Sequence, residues 1–246
     1  MPVIATSLAF PMRTTKFSPK KPLGLFGGTF DPIHFGHLRL AEEAVDALNL
    51  AGVRWIPAGR PVLREAPQLS AQDRLAMVRL ALGAHPRFEL DPTEALAEQP
   101  SFTVPTLERL RRPEECGATR PLVLLIGADV FAGLQRWHRW TALFDLVHLA
   151  VAHRPGFPID VARLPPELAE IYQARFSRQA NVLANVSAGR IVSFPMTQLD
   201  ISASKIRALL GQQQSARFLL PDALLSYIQD HHFYTENASP HENQPA

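Results

Sequence analysis

The chain of 246 residues carries 25 basic and 23 acidic side chains, a net charge of +2, and its 46% hydrophobic and 20% charged residues make an ordinary globular balance. That balance excludes wholesale disorder, a fibrous repeat and bulk wrapping of nucleic acid, and the length suffices for a sizeable core without covalent staples. Cys116 is the only cysteine, so no disulfide framework or cysteine-cluster zinc site can form within one chain, and a reducing, cytoplasmic setting is expected.

No apolar run approaches the ~18 residues of a membrane span, so no membrane partner is expected. Between Met1 and Lys21 there is no acidic residue, and the apolar stretch Val3–Phe10 precedes Arg13, Lys16, Lys20 and Lys21. A secretory signal has the reverse order, so residues 1–21 read as a disordered extension. Residues 234–246 are mostly polar, with Pro240 and Pro245, and read as a disordered tail. One domain over 22–233 remains.

Leu23–Phe26 is predicted as the first strand, running into Gly27 and Gly28. Ala41, Ala44, Val45 and Leu48 then recur at i, i+3, i+4 and i+7, a helical face that Gly52 stops. Val53–Ile56 is a second strand closed by Pro57, followed by a loop, Ala58–Leu69, holding Pro61 and Pro67. Ser70 with Asp73 opens a helix whose face is Leu75, Val78 and Leu82, ending at Gly83. Arg87–Leu90 is a short strand, and Thr106–Arg112 a helix with Pro105 near its first turn. Leu122–Ile126 is apolar on both faces, as a strand covered by helices on both sides must be. Leu146–Val151 and Ile191–Phe194 complete the strands, and helices are predicted over 167–181, 202–210 and 221–229. Arg154–Ala188 interrupts the alternation and reads as a helical insert. The alternation itself predicts an α/β fold, a doubly wound, Rossmann-like, mostly parallel sheet with helices on both faces.

The sharpest segment is Gly27-Gly28-Thr29-Phe30-Asp31-Pro32-Ile33-His34-Phe35-Gly36-His37, which leaves the carboxyl end of the first strand and enters the first helix. Ligands of open α/β sheets bind at that edge. Two glycines let a phosphate approach the backbone, the helix N-terminus presents positive partial charge, and two histidines supply donors able to become cationic beside a phosphate. Alternatives stand beside this reading: a Gly-Gly pair is a common turn, and His34 and His37 could be packing residues or metal ligands at i, i+3. The chain has no H-E-x-x-H and no other His or Cys cluster at ligand spacing, so no metal site is expected. The segment is neither the dinucleotide-binding G-x-G-x-x-G nor a P-loop.

G-G-T-F-D-P-x-H-x-G-H resembles the nucleotidyltransferase superfamily, whose members transfer a nucleoside monophosphate from a triphosphate to a phosphate-bearing acceptor and release pyrophosphate. Far downstream, Ile201-Ser202-Ala203-Ser204-Lys205-Ile206-Arg207 resembles the superfamily's second signature, I-S-x-x-x-I-R. Ser202 is suited to cap a helix and Arg207, about one turn in, to fork onto phosphate oxygens; the plain alternative is an amphipathic helix with Ile206, Leu209 and Leu210 in the core. From Leu23 to Phe233 the chain is most similar to the bacterial nicotinate-nucleotide adenylyltransferases. That resemblance implies ATP with Mg²⁺ and nicotinate mononucleotide as small-molecule substrates, no tightly held cofactor, and no nucleic-acid partner; it leaves a homo-oligomer open. Catalytic roles fall on His34, His37 and Arg207, and ATP binding on Gly27, Gly28, Thr29, Phe30, His34, His37, Gly127, Asp129, Ile201, Ser202 and Arg207. Acceptor binding falls on Arg64, Phe102, Thr103, Trp137 and Arg154. Phe102 lacks the hydroxyl of the family's tyrosine, and Val62 and Leu63 stand where its acceptor loop has proline and histidine. Arg60 reads as solvated or as an aid to the acceptor phosphate, and Asp31 as a turn former. Amide mononucleotide or phosphopantetheine acceptors, cytidylyl transfer, and a nucleotide-binding module without turnover are the alternative functions.

Overall fold

Six parallel strands form the sheet: β1 (Leu23–Gly28), β2 (Gly52–Pro57), β3 (Phe88–Leu90), β4 (Leu122–Gly127), β5 (His148–His153) and β6 (Ile191–Pro195), in the order β3-β2-β1-β4-β5-β6. Eight α-helices connect and cover them among the described residues: α1 (Phe35–Ala47), α2 (Ala71–Leu82), α3 (Thr103–Leu110), α4 (Ala128–Ala132), α5 (Leu143–Leu146), α6 (Pro166–Arg175), α7 (Ala203–Gly211) and α8 (Asp222–Asp230). This is a computed structural model, and it describes residues 17–63 and 65–235.

The period-two alternation of the strands builds two cores. Leu23 and Leu25 of β1, Leu122, Leu124 and Ile126 of β4, and Leu149 and Val151 of β5 face one way, where α3 to α6 bring Val104, Leu107, Phe131, Phe144 and Leu168. Phe26, Val123, Leu125, Ala150 and Ala152 face the other way, against Leu40 and Ala44 of α1, Met77 and Val78 of α2, Ile206 of α7 and Leu224 of α8. Burial on both faces is why LVLLI has no polar position. The doubly wound α/β fold expected from the alternation is the fold observed.

Differences in the elements have local causes. β1 extends through both glycines, so the pair is strand rather than turn. α3 starts at Thr103, three residues before the prediction, with Pro105 in its first turn, where its missing N–H costs no helical bond. α6 stops at Arg175 instead of running to 181, because Phe176 bridges to Ile191 and Ser177 donates to the Ile191 carbonyl, so the chain joins the outer edge of β6. Leu146 belongs to α5, which displaces β5 to His148. The stretch 154–188 is the β5–β6 crossover carrying α6, not an interruption of the winding.

The extension and tail expected at 1–21 and 234–246 lie outside the described residues over 1–16 and 236–246. Within them, Phe17 and Tyr234 are both buried. Phe17 packs where a Cβ on Gly52 would come within 2.5 Å of its ring. Phe17→Ala should therefore lower the unfolding free energy in chemical denaturation by about 3 kcal/mol; a change below about 0.5 kcal/mol, the scale of a surface substitution, would place Phe17 outside the cooperative unit.

Candidate functional site

The strand order reverses between β1 and β4, so the crevice at a doubly wound sheet's switch point opens beside Gly28 and Gly127. From Gly28 the chain turns sharply. Phe30 adopts a left-handed backbone (φ 51°), and a Cβ on Gly28 would lie 2.8 Å from its ring. That ring is buried, edge-on to Phe26 (5.7 Å) and His37 (5.2 Å). Its side chain thus serves the core.

His34 caps α1 with extended backbone, and His37 lies one turn inside. Their rings stack with centroids 3.7 Å apart, and His37 Nδ1 accepts from the His34 backbone N–H at 3.3 Å. A Cβ on Gly36 would meet His34 Nδ1 at 3.0 Å, so a larger residue there would press on the His34 ring. Nδ1 of His34 is buried with no protein partner. Burial lowers the His34 pKa from 6.5 to about 4. At neutral pH the ring is uncharged in the absence of a phosphate, and His34 offers a buried, neutral hydrogen-bonding edge.

The second signature meets the first here. Ser202 caps α7, its hydroxyl accepting from the Lys205 N–H at 3.2 Å as expected. The same Cβ on Gly36 would be 3.7 Å from the Ile201 carbonyl. Arg207 donates from Nη1 to the Asp31 carbonyl at 2.7 Å. Asp31 is buried, accepting at its carboxylate from the Tyr234 hydroxyl (2.6 Å) and the Gln68 N–H (2.8 Å). Burial and the Asp31 carboxylate push the Tyr234 phenol far above its ordinary pKa, so it remains a donor.

Across the edge, the loop after β2 is pinned to the start of α3. The Ser101 hydroxyl accepts from the N–H groups of Gly59 (2.9 Å) and Arg60 (3.1 Å), and the Ser101 N–H donates to the Arg60 carbonyl. Glu94, hydrogen-bonded to Ser101 and Thr106, is pushed up in pKa by burial. Phe102 caps α3 and its ring lies 4.8 Å from that of His138, beside the half-buried Trp137. Phe102 and Thr103 at the start of α3 thus lie beside the segment that holds Trp137 and His138. Arg154 is exposed after β5, Asp129 is exposed at the start of α4, and Arg64 lies outside the described residues.

Arg74 escaped the sequence reading. It is fully buried, and its guanidinium donates to the carbonyls of Thr29 (2.7 Å), Ala58 (2.6 Å) and Gly59 (2.8 Å). Its sequence signal was an arginine four residues before Val78, on the apolar face of α2. Among the described residues, no three His, Cys, Asp or Glu side chains gather as a metal site, and no helix is long and apolar enough to cross a membrane.

The cytidylyltransferase-like family model matches residues 25–209. The chain is 59% identical over 214 residues to the "probable nicotinate-nucleotide adenylyltransferase" of Dechloromonas aromatica, covering 87% of this chain and 98% of that protein. It is 46% identical over 215 residues to the protein of the same description from Pseudomonas aeruginosa, covering 87% and 97%. The chain belongs to the nicotinate-nucleotide adenylyltransferase family. A Plasmodium falciparum nicotinic acid mononucleotide adenylyltransferase, solved complexed with NaAD, shares the fold with a TM-score of 0.60 at 13% identity, covering 87% of this chain and 97% of that one. Where the two signatures meet, His34 is buried and its Nδ1 has no protein partner.

The His34 pKa sets a pH dependence of stability. Between pH 6.5 and 4 the unfolded chain takes up a proton that the native ring refuses. Stability present above pH 6.5 is therefore lost as pH falls through that window, by up to about 3 kcal/mol. His34→Gln should lose visibly less between pH 7 and 4.5 in denaturant titrations; equal losses would contradict the buried neutral ring.

Proposed function

We propose that this site transfers the adenylyl group of ATP to nicotinate mononucleotide, giving nicotinate adenine dinucleotide and pyrophosphate, a step of NAD biosynthesis. The observation that carries the reading is the stacked His34–His37 pair at the start of α1, joined through Asp31 to Arg207 of α7 at the sheet's switch point. Two polyanions must meet there, and the site offers what that meeting needs.

The acceptor phosphate is already an anionic nucleophile at neutral pH, since its second pKa is about 6. One of its oxygens attacks the α-phosphorus of ATP, the bond from that phosphorus to the bridging oxygen of the β-phosphate breaks, and pyrophosphate leaves with the electron pair. No proton need be moved, so the enzyme's task is positioning and stabilisation of charge. The backbone of Gly27 to Phe30 and Gly127 bounds the space for ATP, with Asp129 and Ile201 at its rim. His34 gives a neutral donor edge, while His37, Ser202 and Arg207 face the phosphates. Mg²⁺ enters with ATP as part of the substrate, held by phosphate oxygens and water.

Phe102, Thr103 and Trp137 form the acceptor side, where an aromatic face suits a pyridine ring. Arg154, exposed after β5, and Arg64 supply positive charge toward the mononucleotide. A cytoplasmic location suits the single thiol and this chemistry.

Incubation with ATP, Mg²⁺ and nicotinate mononucleotide should release pyrophosphate stoichiometric with the dinucleotide; release with no mononucleotide acceptor, acid or amide, would sink the reading. His37→Ala should lower kcat at least 100-fold, the scale of losing one preorganised donor, when assayed well below its melting transition. Trp137→Ala should raise the KM for nicotinate mononucleotide about tenfold while leaving the KM for ATP within twofold; a loss confined to ATP would reassign the tryptophan.

A further inference from the structure

Asp31 sits in a stretch, 29–34, that belongs to no strand or helix, so no sheet ladder fixes its backbone. Yet its carbonyl is what holds Arg207, accepting from Nη1 at 2.7 Å. The Nε of Arg207 is buried and has no protein partner. The aim of that guanidinium therefore follows the position of the Asp31 peptide. Two hydrogen bonds hold the Asp31 carboxylate, the Gln68 N–H at 2.8 Å, just ahead of α2, and the Tyr234 hydroxyl at 2.6 Å, four residues beyond α8, while Arg74 holds the Thr29 carbonyl two residues earlier. Tyr234 is itself over-determined. It is buried, has a left-handed backbone (φ 63°), and follows Phe233, whose N–H is tied back to the Ile228 carbonyl.

We infer that Tyr234 is a positioning residue for the transfer step, acting through Asp31 to hold the Arg207 guanidinium at the phosphates. The last described segment of the chain is then part of the site's rigid frame, although it approaches no substrate. The tyrosine hydroxyl fixes the carboxylate, the carboxylate fixes the peptide, and the peptide carbonyl fixes the arginine. Such an arrangement matters most in the transition state, where charge on the triphosphate shifts and a misaimed fork loses its second hydrogen bond.

The inference rests on the adenylyl-transfer reading, and the test separates the two. Tyr234→Phe keeps the ring and its packing and removes only the hydroxyl. It should lower kcat for pyrophosphate release about tenfold or more at a temperature well below its melting transition, with the KM for nicotinate mononucleotide unchanged within twofold. In an Arg207→Lys background, where the fork is gone, the same substitution should cost less than twofold, because both changes disable one device. A purely structural tyrosine would shift the melting temperature and leave kcat of the folded enzyme within twofold of wild type, which would overturn the inference. So would a tenfold loss that persists undiminished in the Arg207→Lys background. Wild-type enzyme that releases no pyrophosphate would overturn the functional reading, and this inference with it.

Discussion

A buried guanidinium holds together the two loops on which the site is built. Arg74 lies under the carboxyl edge of the sheet with no exposed surface and donates to carbonyls from the β1–α1 turn and from the loop after β2. Removing a cation from water is costly, and burial accordingly lowers the Arg74 pKa, opposed by the neighbouring Asp31. What offsets that cost is a set of carbonyl acceptors that would otherwise lack donors at that depth. A planar fork can reach three peptides in two loops at once, and a lysine cannot. Thr29 and Ala58 are thereby set at a fixed separation.

Around this brace each remaining feature has a local reason. Gly36 leaves room for the His34 ring, and the His34–His37 stack fixes the entry of α1. Ser101 ties Gly59 and Arg60 to the start of α3, so Val62 and Leu63, exposed and unlike the family pattern, lie outside the part of the loop that is held. The modest net charge of +2 also becomes intelligible. The groups proposed to meet phosphate are few and local, and burial lowers the pKa of one of them, His34.

Much of this was legible in the residues. Strand–helix alternation and an apolar β4 specify a doubly wound sheet, and a glycine pair leading into H-x-G-H points to a candidate site at the end of β1. The start of α3 and the end of α6 were not legible, because each is decided by a partner distant in sequence: Ser101 against the loop after β2, Phe176 against β6. Arg74 and Tyr234 were missed for the same reason. A lone arginine on a helix face, or a tyrosine near the end of a chain, acquires meaning only from carbonyls and a carboxylate that folding brings to it. Phe30 shows the converse: a residue inside a binding motif whose side chain is spent on packing.

In the proposed reaction the protein contributes position and charge, and the acceptor phosphate itself attacks ATP. The stereochemical course at the α-phosphorus tests this most directly. ATP carrying one sulfur of defined configuration at that phosphorus would be converted with nicotinate mononucleotide, and the configuration of the thio-substituted dinucleotide determined. A single in-line displacement inverts the phosphorus, and inversion is the result predicted. Retention would require two displacements through an adenylylated side chain, and would contradict a site that only aligns and stabilises.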